Sequence, residues 1–132
     1  MRFSAPVLAA LFACAIGACH ANATLDATPA TPSAPQNVPP GPTPTIGGNH
    51  ETIVLAEGKY RGDLVIGGNH NIVRGAGTGK TIVDGRLVMN GNHNRVGELS
   101  VTGGGTIGGN HNDASGAILE GEVAVGGIGN RR

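Results

Sequence analysis

Residues 66–73 read Ile-Gly-Gly-Asn-His-Asn-Ile-Val, and this stretch decides the fold because its central motif recurs. The tripeptide Gly-Asn-His occurs four times, beginning at Gly48, Gly68, Gly91 and Gly109. Each Asn is preceded by an apolar residue three positions earlier, and in three copies a second Asn follows two positions later. Successive copies lie 20, 23 and 18 residues apart, so the turn motif is strict while the length between turns varies. A period near twenty residues predicts a repeat architecture.

The segments between the motifs are short and rich in β-branched residues. Thr52-Ile53-Val54-Leu55 and Thr81-Ile82-Val83 are examples, and no apolar recurrence has helical spacing. Short strands joined by glycine turns indicate coils of a parallel β-solenoid stacked at about 4.8 Å. The sequence therefore predicts an all-β domain over residues 45–130, a short right-handed parallel β-helix of about four to five coils. Right-handed winding is favoured because the spacings are not multiples of six.

The composition places a sharp boundary near residue 45. Seven of the 8 prolines lie between Pro29 and Pro44, whereas 22 of the 24 glycines lie between Gly47 and Gly129. Residues 19–44 are rich in Pro, Ala and Thr and have no apolar periodicity, which predicts a disordered tether. The net charge is zero and no basic run occurs, so nucleic acid is not an expected partner.

The first residues have the pattern of an export signal. An apolar run follows Arg2 and ends in Ile16-Gly17-Ala18-Cys19, which resembles the bacterial lipobox. The resemblance implies that residues 1–18 are a lipoprotein signal peptide, that Cys19 is acylated, palmitate being one such acyl group, and that the chain is anchored at the outer membrane. Cleavage after Ala23 is the alternative, and it would give a secreted protein.

Part of the repeat region also resembles known solenoids. The segment Gly79-Lys80-Thr81-Ile82-Val83-Asp84-Gly85 is similar to a coil of pectate-lyase-like β-helices. The Gly-Asn-x-Asn-x-Val rhythm resembles Asn-rich solenoid repeats of uncharacterised bacterial exported proteins. Both resemblances imply a fold and say almost nothing about chemistry.

The repeated asparagines have a structural interpretation. Asn tolerates left-handed backbone at sharp corners, and its side-chain amide can bond the equivalent Asn one coil away. Such a ladder would satisfy buried polar atoms. The predicted members are Asn49, Asn69, Asn92 and Asn110.

The histidines next to these asparagines share one repeat phase and are expected to stack in register on the outside. They are His50, His70, His93 and His111. One interpretation is a structural or solvated row, and the other is a surface for Zn²⁺ or Cu²⁺ with Glu51 or Asp113 as an added ligand. Chelation would require the rings to lean together, because each nitrogen must lie about 2.0–2.1 Å from the ion.

These observations predict a non-catalytic structural or interaction module of a cell-envelope lipoprotein. The carboxylates are scattered over different repeat phases, and Asp84 alone has a motif-like setting, so an enzyme is not expected. The alternatives are a transition-metal-binding envelope protein and a degenerate carbohydrate-active β-helix. The expected partners are the membrane, through the lipid anchor, and an envelope protein or surface ligand, with end-to-end self-association left open.

Overall fold

The structure, a computed structural model, describes residues 34–132. All regular secondary structure in this range is β-strand, and no helix occurs within it. The strands are β1 (Gln36–Val38), β2 (Thr45–Ile46), β3 (Thr52–Leu55), β4 (Gly58–Arg61), β5 (Leu64–Ile66), β6 (Ile72–Arg74), β7 (Thr81–Asp84), β8 (Leu87–Met89), β9 (Arg95–Val101), β10 (Gly105–Ile107), β11 (Asp113–Leu119) and β12 (Val123–Val125).

The strands form three faces of a parallel β-solenoid of about five turns. The first face is the five-stranded sheet β2-β5-β8-β10-β12, in which every neighbouring pair is parallel. The second face consists of β1, β3, β6 and the first halves of β9 and β11. The third face consists of β4, β7 and the second halves of β9 and β11. The predicted all-β parallel solenoid is confirmed, and its handedness stays a prediction.

The core is built by alternation along each short strand. In β3, Ile53 and Leu55 are buried while Thr52 and Val54 are partly exposed, as a strand with one inward face requires. The apolar residues three positions before the repeated Asn stack in register and are all buried; they are Ile46, Ile66, Met89 and Ile107. This apolar position of the sequence repeat therefore supplies one column of the core.

The solenoid begins before the boundary predicted from composition. Strand β1 lies within residues 19–44, the predicted tether, and pairs in parallel with β3. The Tyr60 hydroxyl donates to the Val38 carbonyl at 2.6 Å, with the Ala56 carbonyl at 3.2 Å, and burial raises the pKa of this hydroxyl. The Arg61 amide also donates to the Gly41 carbonyl at 2.9 Å. Residues 36–44 are thus part of the folded domain, which corrects the predicted boundary at residue 45.

The variable spacing between motifs is absorbed at the corner between the second and third faces. Residues 75–80 form a loop there in the longest turn, whereas β9 passes through the same corner without a break, with Glu98 at a φ of 58°. Strand β11 passes it with register shifts on either side of Gly116. The other corners therefore keep a constant length.

Several glycines lie where the backbones of successive turns approach each other. A Cβ on Gly68 would overlap the carbonyl oxygen of Gly48 in the preceding turn, and Gly68 also has a φ of +70°. Its neighbour Gly67 has no such conflict, because a Cβ there would meet only the Ile46 carbonyl oxygen, at 3.7 Å. The two glycines thus form a matched pair one residue apart.

Replacing Gly68 with Ala should lower the free energy of unfolding by about 2–4 kcal/mol, through the backbone overlap and the left-handed conformation. Replacing Gly67 with Ala should change it by less than about 1 kcal/mol. Urea denaturation followed by circular dichroism measures both values. Equal midpoints for the two variants would contradict the close stacking of turns at Gly68.

Candidate functional site

The Gly-Asn-His-Asn motif forms the corner between the first and second faces, called here the repeat corner. Its histidines adopt left-handed backbone, with φ of 58°, 58°, 56° and 55° at His50, His70, His93 and His111. The expectation that Gly and Asn supply the left-handed residues is therefore half right, since glycines such as Gly68 do and His takes the other position. Histidine is among the residues that tolerate this conformation better than most.

The predicted asparagine ladder lies on the outer side of the repeat corner. The Nδ2 atom of each Asn donates to the Oδ1 atom of its counterpart in the preceding turn: Asn69 to Asn49 at 3.0 Å, Asn92 to Asn69 at 2.9 Å and Asn110 to Asn92 at 3.0 Å. All four side chains are partly or largely exposed. They form an outer ladder, and the buried polar atoms of the corner belong to a different set.

A second, buried ladder is formed by the asparagines two positions later. Asn71, Asn94 and Asn112 are 0–1% exposed. Asn94 shows the common pattern: its Oδ1 accepts the Asn71 amide at 2.9 Å, and its Nδ2 donates to the carbonyls of Asn90 at 2.9 Å and Gly68 at 3.1 Å. Each buried Asn side chain therefore forms hydrogen bonds both within its own turn and to the preceding turn.

The buried ladder accounts for the polar interior of the repeat corner. Within the part of the chain that the structure describes, no buried side-chain nitrogen or oxygen lacks a hydrogen-bond partner. Glu51 occupies the same position in the first motif, where its amide donates to Asn71 Oδ1 at 2.9 Å. In the sequence, the signal for this ladder is the second Asn of the motif. The predicted ladder consisted of the first Asn instead, which is present in every copy.

Replacing Asn94 with Ala should lower the free energy of unfolding by about 2–4 kcal/mol, because two carbonyls and one amide of the buried corner would lose their partner. Replacing Asn92 with Ala should cost no more than about 1 kcal/mol, because its side-chain bonds are partly exposed to water. Thermal and urea denaturation compare the two variants. The assignment of the buried ladder is wrong if Asn92→Ala is the more destabilising change.

The imidazoles form a continuous stack on the surface. Ring centroids are 4.8 Å apart between His50 and His70, 4.9 Å between His70 and His93, and 5.1 Å between His93 and His111. The interplanar angles are 3°, 2° and 11°, and all four residues are exposed. We call these four side chains the histidine row.

The fifth turn shows that the backbone of the corner does not need histidine. Gly129 holds the position equivalent to His111, with a φ of +69°, and the partly exposed Asn130 follows it and continues the hydrogen-bond pattern of the buried ladder. A left-handed residue is thus required in every turn, while an imidazole is used in four of them. The histidine side chains are consequently not required for the turn, and they lie exposed on the surface.

A depression of about 530 Å³ lies beside the histidine row. It is lined by His70, Ile72, His93, Asn94, Arg95, His111, Asn112, Asp113, Gly129 and Arg131. Arg95 Nη2 donates to Asp113 Oδ2 at 3.3 Å, and the Ser115 hydroxyl and amide donate to Asp113 Oδ1 at 2.6 and 3.0 Å. The bonds from Ser115, together with Arg95, lower the pKa of the Asp113 carboxyl. Asp113 is therefore held as a charged, hydrogen-bonded group at the edge of this depression.

The histidine row does not converge on a point. Among residues 34–132, no group of three or more His, Cys, Asp and Glu side chains is arranged to hold a metal ion. Parallel rings direct their in-plane lone pairs side by side, so a shared ion requires the rings to lean together. The Glu51 carboxylate lies close to Gly48: a Cβ atom added to Gly48 would be 2.5 Å from Glu51 Oε1.

The remaining carboxylates and the lipidation site lie elsewhere. Asp63 Oδ1 accepts the Arg86 amide at 2.8 Å, and Asp84 Oδ1 accepts the Thr102 hydroxyl at 3.4 Å, both on exposed parts of the solenoid. Cys19, the predicted signal peptide and the first part of the tether lie outside the described residues. Within the described range, no helix is long and apolar enough to cross a membrane.

Comparison of the chain with models of protein families, with curated proteins and with solved structures found no significant match.

Proposed function

We propose that this chain is a cell-envelope lipoprotein whose β-solenoid is a non-catalytic interaction module, and that the repeat corner is its binding surface. The observation that carries the proposal is the contrast between the histidine row and Gly129, which holds the same position in the fifth turn. Four turns place an imidazole at a position where glycine suffices for the backbone, and all four imidazoles point to solvent in register. A repeated exposed side chain that the fold does not require is best explained by a partner that it contacts.

The distribution of acidic groups supports a non-catalytic role. Glycoside hydrolysis uses two carboxyl groups on either side of one bond, about 5–9.5 Å apart. Asp63, Asp84 and Asp113 instead accept hydrogen bonds from backbone amides or hydroxyls of this chain. These contacts give the three aspartates structural roles, which supports a non-catalytic module over the carbohydrate-active alternative.

The anchoring of the module is proposed from the sequence of the export signal. Acylation of Cys19 would attach the chain to the outer membrane, and residues 20–33 would connect the lipid to the first strand. Cleavage after Ala23 would instead release the module as a secreted protein. A solenoid held at the membrane in this way would present the repeat corner to other envelope components.

A photoreactive residue beside the histidine row should crosslink to the partner. Arg95 projects from the second face next to the row, and its side chain is 62% exposed. p-Benzoylphenylalanine at position 95 should give discrete adducts in intact cells, whereas the same residue at Lys59, exposed on the third face, should not. Adducts of equal yield from both positions, or from neither, would remove the repeat corner as the binding surface.

The lipid anchor has its own test. Radiolabelled palmitate should be incorporated into the wild-type chain, which should fractionate with membranes. Cys19→Ser should lose the label and leave the membrane fraction, because the acceptor thiol is gone. Cys14→Ser is the matched control, because position 14 lies within the predicted signal peptide. Label that persists in Cys19→Ser would contradict Cys19 as the anchor, and a wild-type chain without label would favour the secreted form.

A further inference from the structure

The geometry of the histidine row points to a ligand class and a stoichiometry. We propose that the row binds two divalent transition-metal ions, each held between the imidazoles of two adjacent turns, one by His50 with His70 and one by His93 with His111. The inference rests on the proposed function, because it names a ligand of the same repeat corner. Imidazole suits Zn²⁺, Cu²⁺ and Ni²⁺, whereas Mg²⁺ prefers oxygen ligands.

The backbone fixes where the imidazoles begin. The amide of each histidine donates to a carbonyl of the following turn, from His50 to Asn69 at 3.0 Å, from His70 to Asn92 at 3.0 Å and from His93 to Asn110 at 3.0 Å. The Cα atoms are therefore held in register by the stacking of turns. Because the side chains are exposed, their rings can turn without disturbing the core.

The distances between rings decide how many of them one ion can reach. With bonds of about 2.1 Å, two nitrogens on one tetrahedral ion lie about 3.4 Å apart. Adjacent ring centroids in the row are 4.8–5.1 Å apart and the rings are nearly parallel. To share one ion, the two rings of a pair must therefore approach by about 1.5 Å in total and also rotate out of the parallel stack, so that their in-plane lone pairs meet at the ion. A ring two turns away is twice as far and cannot join the same ion.

Pairing excludes a continuous row of shared ions. A ring that leans toward one neighbour moves away from the other, so four equally spaced rings divide into two pairs. Occupation of His70 with His93 would leave the outer rings single and hold one ion instead of two. Two ions on the pairs at either end thus use all four imidazoles.

The remaining coordination positions differ between the two pairs. Glu51 follows His50 in the chain, and its carboxylate lies at the repeat corner against Gly48. Near His111, Asp113 is already bonded to Ser115 and Arg95, and the guanidinium of Arg95 adds positive charge to that end. The ion between His50 and His70 should consequently bind more tightly than the ion between His93 and His111.

Equilibrium dialysis of the untagged full-length chain against ZnCl₂, followed by elemental analysis, tests the stoichiometry. Two zinc ions per chain are expected, and no magnesium in a parallel dialysis against MgCl₂. One ion, four ions or no ion at millimolar zinc would overturn the proposal. The Glu51→Gln variant should weaken one of the two sites and leave the other unchanged.

Two double variants with the same composition test the pairing. Asn is the substituent because it tolerates left-handed backbone. H50N/H111N keeps the adjacent pair His70 and His93 and should bind one zinc ion. H70N/H93N keeps two rings that lie three turns apart. Its zinc affinity should be lower by a factor on the order of ten or more, because no second ring is within reach of the ion.

Equal zinc affinity in the two double variants would overturn the paired arrangement. Thermal denaturation of both variants without metal establishes that each is folded, so loss of zinc is read only from folded protein. The crosslink from position 95 is measured in EDTA as well as in zinc. A crosslink that persists in EDTA beside failed zinc binding would refute the metal sites alone, whereas zinc binding without any crosslink would refute the interaction module alone.

Discussion

The repeat corner depends on one constraint: each polar backbone group that turns away from the strand ladder must find its partner in the turn next to it. Strand pairing satisfies the three faces, and some amides of the repeat corner, such as that of His70, also bond the backbone of the next turn. Other groups of the bend, such as the Asn71 amide, have a side-chain partner instead. The buried asparagines provide such partners, since a single side chain supplies both an acceptor and a two-hydrogen donor. Asn94 therefore bonds groups in two turns at once. The glycines follow from the same constraint, because such bonds require the backbones to approach closely.

The direction of these bonds also accounts for the exception in the first motif. Each buried Asn donates to a Gly carbonyl of the preceding repeat corner: Asn71 to Gly48, Asn94 to Gly68 and Asn112 to Gly91. Gly-Asn-His first occurs at Gly48, so no earlier corner of this kind offers a carbonyl to residue 51. A donor is not needed there, and a carboxylate is accommodated. Glu51 thus marks where the ladder starts.

The sequence was sufficient for the parts of the fold that depend on periodicity. Alternation in Thr52-Ile53-Val54-Leu55 and the apolar residue before each motif predicted the strands and the core columns, because inward residues of stacked coils must all be apolar. The identity of the buried Asn could not be read in the same way. The corner contains left-handed residues such as Gly91 and His93, which interrupt the alternation of inward and outward side chains and so decide whether Asn92 or Asn94 faces the interior. Composition likewise concealed β1, since Pro35 precedes it and Pro39 and Pro40 follow it, although proline is compatible with an edge strand.

Within each motif the glycines and the buried Asn hold the turns together, while the histidine lies on the surface. This separation of roles affects how such a protein can change its size. Every turn carries its own means of attachment to the turn before it, and the corner between the second and third faces tolerates loops of different length. A whole turn duplicated within the gene would thus arrive with its glycines, its buried amide and its surface imidazole already in phase. Growth by such units would lengthen the molecule along its axis and leave its cross-section unaltered. The dimension that evolution can adjust most freely is accordingly the number of imidazoles in the row, which varies in step with the height of the solenoid.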